Sequence, residues 1–171
     1  MPTPIPTAFP TRRCGGLSPQ LRQDFIGLVA NVVSGGVAFQ AGSPQNDAFN
    51  WIVNVDPDYL CPEDSGLVTR YTLAAFYFST RGGRWTRCRA PPEFEVETEE
   101  AANQACPQGN AWLTSGSECD WSFITCDEND EVVEISIGKL SLGRIFYRLR
   151  LQLLSSPNCV VTMCIPVFLS S

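Results

Sequence analysis

The chain has 171 residues, a formal net charge of −6, eight cysteines and no histidine. That length suits one domain, since domains hold roughly 100–200 residues, and the acidic balance excludes nucleic acid and anionic membrane surfaces as partners, because both require clustered Lys and Arg. Thirteen prolines and thirteen glycines within a 44% apolar composition indicate a loop-rich folded protein rather than a disordered one.

Residues 1–16 are rich in Pro, Thr and small side chains and read as a solvated, extended tail. They lack the positive start and apolar run of a secretory signal. Residues 17–87 read as a helical region. Its first helix is expected over 18–33, with Ser18 as cap, Pro19 in the first turn, and Leu21, Phe25, Leu28, Val29 and Val32 at helical spacing as its packing face. Asn31, Ser34 and Gly35 interrupt this apolar run well short of the ~20 residues of a membrane span. A second helix is expected to start at Ser43-Pro44 and to stop before Asp56-Pro57. A third, over 65–79, sets Leu67, Tyr71, Leu73, Ala74, Phe76 and Tyr77 on a dense face of core type. The Arg81-Gly82-Gly83-Arg84 turn ends the block, and Arg81, Arg84, Arg87 and Arg89 form a local basic patch. Residues 88–111, with the acidic run Glu95, Glu97, Glu99 and Glu100, read as a solvated loop insert.

Eight cysteines point to an oxidising compartment. Zinc is the rival explanation, but there is no histidine and no Cys-x-x-Cys, so no metal or other cofactor is expected. Cys119 and Cys126 are spaced to close a small ring around Trp121 and Phe123, and Cys88 with Cys106 flank the acidic insert. Cys14, Cys61, Cys159 and Cys164 stay unassigned. Without histidine, the usual Ser-His-Asp and Cys-His catalytic arrangements are missing. Paired carboxylates remain, Asp56 with Asp58 and Asp120 with Asp127, although Asp in such contexts normally caps turns. No Gly-rich phosphate loop and no Asn-x-Ser/Thr acceptor is present.

Trp112-Leu113, then Cys119-Asp120-Trp121-Ser122-Phe123-Ile124-Thr125-Cys126, an acidic turn, and Val132-Val133-Glu134-Ile135-Ser136-Ile137 follow one another. This order resembles the plant-type N-terminal cap of leucine-rich repeat proteins, Trp-Leu followed by Cys-x-Trp-x-Gly-Val-x-Cys and a first repeat strand. Phe123-Ile124 stands where that motif has Gly-Val. Upstream, Arg70-Tyr71-Thr72-Leu73-Ala74, Tyr77-Phe78-Ser79-Thr80-Arg81-Gly82 and Trp85-Thr86 resemble the helical region that precedes the cap in diatom and algal members. The resemblance implies an α+β fold: helices, then a disulfide-closed cap over residues 112–150 with one degenerate repeat. Its structural residues are Trp112, Leu113, Cys119, Trp121 and Cys126, with Val132, Ile135 and Ile137 on the strand and Cys88 with Cys106 upstream.

Leu140, Leu142, Gly143 and Ile145 only loosely follow the repeat pattern, and the apolar segment 151–171 follows no motif. The chain is therefore expected to stop after one repeat. The resemblance implies a non-catalytic binding module for a protein or glycan, extracellular or on the lumenal side of a membrane, in a family whose members often carry a membrane anchor. A small secreted cysteine-rich hydrolase or inhibitor working through carboxylates is the alternative.

Overall fold

A computed structural model describes residues 14–92, 96–137 and 147–150. Leu140, Leu142, Gly143, Ile145, Cys159, Cys164, the segment 151–171 and the tail before Cys14 lie outside the described residues. The architecture is α+β. Helices α1 (Pro19–Ser34), α2 (Pro44–Asn54), α3 (Leu67–Ser79) and α4 (Val96–Gln104) precede strands β1 (Ile124–Cys126), β2 (Val132–Ile137) and β3 (Tyr147–Arg150).

The helix starts follow the local chemistry. Ser18 Oγ accepts the Leu21 N–H at 3.2 Å, and Ser43 Oγ accepts the Asn46 N–H at 3.1 Å, each with proline in the first turn. Gly35 ends α1 at φ 62°, a left-handed conformation that favours glycine. α3 buries Leu67, Tyr71, Leu73, Ala74, Phe76 and Tyr77, the face expected of it.

α1 is rotated relative to the expectation. It turns Arg22, Ile26, Gly27 and Ala30 inward, with Val29 and Val33 half-buried, and leaves Leu21, Phe25, Leu28 and Val32 in solvent. Two contacts favour this orientation. The Arg22 guanidinium donates to the carbonyls of Leu60 (2.8 Å), Val53 (3.0 Å) and Ile52 (3.2 Å), satisfying carbonyls at the C-terminal end of α2, and lies 3.8 Å over the Tyr59 ring. Small residues on the same face allow close approach: a Cβ on Gly27 would stand 3.2 Å from the Phe39 ring. Burial holds the Arg22 pKa below its usual range, with Tyr59 and Asp56 opposing that shift.

Within the stretch read as a loop insert, residues 96–104 form α4, whose Asn103 side chain accepts the Ala111 N–H at 2.8 Å. Phe94 and Glu95 lie outside the described residues. Three cysteine pairs lie within disulfide range: Cys119 with Cys126 (Cα separation 5.7 Å), Cys88 with Cys106 (5.1 Å) and Cys14 with Cys61 (5.2 Å). The last ties the start of the helical block to the loop after α2.

The sheet order is β1-β2-β3 and both pairings are antiparallel. Ile124 faces Ile135 and Cys126 faces Val132, with a bulge between Thr125 and Cys126, while Ile137 pairs with Tyr147. β3 therefore lies along the β2 edge opposite β1. A leucine-rich repeat would instead add a parallel strand there. Helices and sheet share one hydrophobic cluster that runs from Ile26 through Trp51, Tyr77 and Trp112 to Val132 and Ile135.

The small ring contributes through the unfolded state. Freeing a loop of seven residues returns about 2.4 kcal/mol of chain entropy. A Cys119→Ser/Cys126→Ser protein is expected to melt about 5–10 °C lower in a calorimetric scan, at about 2–4 °C per kcal/mol for a domain of this size.

Candidate functional site

The candidate site is the loop of residues 108–126 around the Cys119–Cys126 ring, for short the cap loop, and the elements that hold it. Gly109 at φ 79° turns the chain beside residue 120, where a Cβ would stand 2.5 Å from the Asp120 carbonyl oxygen. A short parallel bridge follows: the Asn110 N–H donates to Asp120 O (2.6 Å) and the Ser122 N–H to Asn110 O (2.8 Å). The Ser122 hydroxyl donates to Gln108 O. Trp112 Nε1 donates to Ser122 O at 2.8 Å, and its N–H to Cys88 O at 3.1 Å, so one residue ties the cap to the Cys88–Cys106 staple.

Trp112, with 0% exposure, is the centre of an aromatic cluster. Its ring centroid lies 5.2 Å from Trp85, 5.7 Å from Trp121, 5.8 Å from Phe76 and 6.2 Å from Tyr77. Leu113 is buried at φ 60°, and Trp121, Val132 and Ile135 are buried around it. The structure thus brings Trp112, Leu113, Trp121, Cys126, Val132 and Ile135 into or against a single core, to which Cys119 is tied through its pairing with Cys126. Ile137 ends β2, and Cys88 with Cys106 sit beside Trp112.

Arg70, one letter of the Arg-Tyr-Thr-Leu-Ala stretch in the sequence, is the electrostatic centre of this loop. The side chain is 1% exposed. Nε lies 3.0 Å from both Asp56 carboxylate oxygens, and Nη2 donates to Asp56 Oδ1 (2.9 Å) and Thr114 O (2.9 Å). Nη1 donates to Gly116 O (2.9 Å) and Glu118 Oε1 (2.7 Å), and Asp58 adds an ion pair at 3.1 Å. The guanidinium also stacks 5.0 Å from the Trp121 ring and 5.4 Å from the Trp51 ring. Burial pushes the Asp56 carboxyl above the usual carboxylate range, while Arg70 and the Asp58 N–H pull it back down. The signal for this residue was available. Arg70 stands three residues from both Leu67 and Leu73, on an apolar face where an unpaired charge could not remain.

The carboxylate pairs considered for catalysis have other work. Asp56 and Asp58 both hold Arg70, and Asp58 also accepts the Gly116 N–H at 3.0 Å. Asp127 is fully exposed and closes the β1–β2 turn by accepting the N–H groups of Asn129 (2.9 Å) and Glu131 (3.0 Å), which hold its carboxyl below the usual range. Asp120 is exposed.

Asp120 lines a groove of about 520 Å³ beside the ring, together with Gln108, Asn110, Phe123, Thr125 and Ser136. Residues with amide, carboxylate and hydroxyl side chains thus line it together with Trp121 and the half-buried Phe123. Phe123 has φ 73°, in the left-handed region that a bulky non-glycine residue seldom occupies. Among the described residues no group of His, Cys, Asp and Glu side chains could hold a metal ion, and no helix is long and apolar enough to cross a membrane.

No protein-family profile matches the chain, and no curated protein or solved structure matches it.

Proposed function

We propose that this chain is a non-catalytic recognition module, a helical region with a leucine-rich-repeat-type cap, that works outside the reducing cytosol and binds a protein or glycan ligand in the groove beside the Cys119–Cys126 ring. The observation that carries the reading is the backbone of Phe123. Its φ of 73° is a conformation that glycine, the residue the motif has at this place between the two cysteines, adopts without a side-chain penalty. The chain keeps the turn, accepts the strain and gains an aromatic ring in a polar groove. Strained residues held by their surroundings concentrate at binding sites. The chemistry of the groove suits a carbohydrate: a ring face for the apolar side of a sugar, with Gln108, Asn110, Asp120 and Thr125 as hydroxyl partners. The three cysteine pairs support an oxidising compartment.

β3 bears on where recognition happens. A repeat array binds through its concave parallel strands, and here β3 pairs antiparallel along the β2 edge on which such an array would grow. The groove, rather than an array face, is therefore the binding surface of this chain.

The test uses Phe123→Gly, which removes the ring while relieving the backbone, beside Asp120→Asn. On an array of neutral and acidic oligosaccharides the unmodified protein is expected to retain at least one class. Both variants are expected to weaken that binding about tenfold or more, a loss of about 1.4 kcal/mol, while each still folds with the circular dichroism spectrum of the unmodified protein. Equal binding by all three proteins would remove the groove from the reading, and hydrolysis of any bound glycan would replace it with a catalytic one.

A further inference from the structure

The cations of this acidic chain are unevenly placed. Between residues 14 and 137 all six are arginines, and two of them, Arg22 and Arg70, are buried and bonded. The other four, Arg81, Arg84, Arg87 and Arg89, are exposed and fall in one stretch after α3 that contains no acidic residue. Among the described residues none of the four forms an ion pair.

Two of the four line a second groove, of about 500 Å³, which shares no lining residue with the one beside the Cys119–Cys126 ring. Arg81 and Arg89 line it together with Tyr77, Phe78, Pro91 and Pro92. The backbone around Tyr77 sets their positions. Arg81 follows α3 in a left-handed conformation (φ 56°), and Gly82 beside it is buried against the Tyr77 ring with no room for a Cβ. The Tyr77 hydroxyl accepts the Ala90 N–H at 2.9 Å, which fixes the other end of the stretch. Tyr77 is 3% exposed, and its hydroxyl hydrogen has no acceptor among the described residues. Burial pushes its pKa above the usual range, with the Ala90 N–H and the Arg89 charge opposing that shift, so the hydroxyl stays a donor. Trp51 also lines the groove, and its buried Nε1 has no partner among the described residues. The lining side chains thus carry N–H and O–H donors and no carboxylate or carboxamide.

We propose that this groove binds a small organic anion, a carboxylate joined to a flat apolar body, with the carboxylate between Arg81 and Arg89 and the body against Tyr77, Phe78 and the two prolines. A guanidinium matches a carboxylate in both charge and planar geometry. A groove of this volume, with apolar walls and a few charged groups, is of the kind that small ligands occupy. A wholly apolar ligand is the poorer occupant, because it would take water from two guanidinium groups without supplying a counter-charge. A long polyanion is poorer too, since Arg84 and Arg87 do not line this groove and the chain as a whole carries −6.

Calorimetric titration with naphthoate and with naphthalenemethanol, its uncharged counterpart, tests this. Naphthoate is expected to bind with a Kd of about 1 mM or tighter, the range open to a ligand of that size, and the alcohol about tenfold more weakly or less. Arg81→Gln/Arg89→Gln, at two exposed positions, is expected to keep the circular dichroism spectrum and to weaken naphthoate binding about tenfold or more. Arg84→Gln/Arg87→Gln removes the same charge from outside the groove and is expected to stay within about twofold of the unmodified chain, because salt screens exposed charges that make no contact. Absence of naphthoate binding, equal binding of acid and alcohol, or full binding by the Arg81→Gln/Arg89→Gln protein would each overturn the proposal. So would an equal loss in both double variants, which would show a diffuse positive patch and no built site. Should the Arg81→Gln/Arg89→Gln protein fail to fold, Arg89→Gln alone makes the same comparison, with about a threefold loss expected.

Discussion

Replacing Arg70 with leucine is expected to cost about 3–5 kcal/mol and to lower the melting temperature by roughly 6–20 °C, at about 2–4 °C per kcal/mol. The cost does not come from the attraction alone. Asp56 is 0% exposed, and without the guanidinium its carboxylate is a buried charge with no counter-ion. The carbonyls of Thr114 and Gly116 lose their donors at the same time, so the loop leading to Cys119 is released from α3. Arg70→Lys keeps the charge but not the planar fork that serves Asp56, Glu118 and two carbonyls together, and should fall between leucine and the unmodified protein. Removing both charges, as Arg70→Leu/Asp56→Leu, should recover much of the loss, because the other two carboxylates, Asp58 and Glu118, keep 29 and 15% of their side-chain surface in water. Urea denaturation of the four proteins checks this. A single leucine variant within 1 kcal/mol of the unmodified chain would refute the central role of Arg70, because breaking a buried pair costs about 3 kcal/mol or more.

Trp112→Ala is the second large expected loss, again about 3–5 kcal/mol. The indole fills the space between Phe76 and Tyr77 of α3, Trp85 after it, and Trp121 of the cap, so alanine leaves a cavity on both sides of the junction. It also removes the donor to Ser122 O. Because Trp112 is the bridge, the effect should be uneven. Hydrogen exchange is expected to show residues 108–126 losing protection well before α2 and α3, whereas the unmodified protein opens both together. Trp112→Phe keeps most of the ring and gives up the hydrogen bond, at about 1–2 kcal/mol. Uniform loss of protection across the whole chain in the alanine variant would mean that cap and helices are not coupled through this residue.

The two losses share one origin. Arg70 and Trp112 both connect a helix built from local signals to a cap built around a disulfide, and neither side could bury its surface alone. Trp121 lies in contact with both, 5.0 Å from the guanidinium and 5.7 Å from the Trp112 ring. The groove proposed for ligand is lined by Asp120 and Phe123 beside Trp121 of this junction, with Phe123 packed against the same core. Preorganisation of a small binding loop by a rigid inner face lowers the entropy lost when a ligand orders it.

Local rules read directly from the residues account for much of this protein. Ser18-Pro19 and Ser43-Pro44 start helices because a hydroxyl and a ring suit the first turn whatever lies nearby. Cys119 and Cys126 are seven residues apart, and Cys88 and Cys106 flank a single excursion, so both pairs are matters of short reach. The dense apolar face of α3 packs as its spacing implies, with Arg70 buried among its apolar residues. Three outcomes were decided by tertiary structure. α1 presents two possible apolar faces, and the carbonyls at the end of α2 together with the close approach at Gly27 select the one that contains an arginine. α4 has an acidic sequence, and contacts such as Asn103 with Ala111 hold its helix in place. Cys14 meets Cys61 across a separation of 47 residues, which spacing alone cannot specify. In each case the sequence carries the local preference, but the choice depends on contacts outside the element itself, and those exist only once the chain has folded.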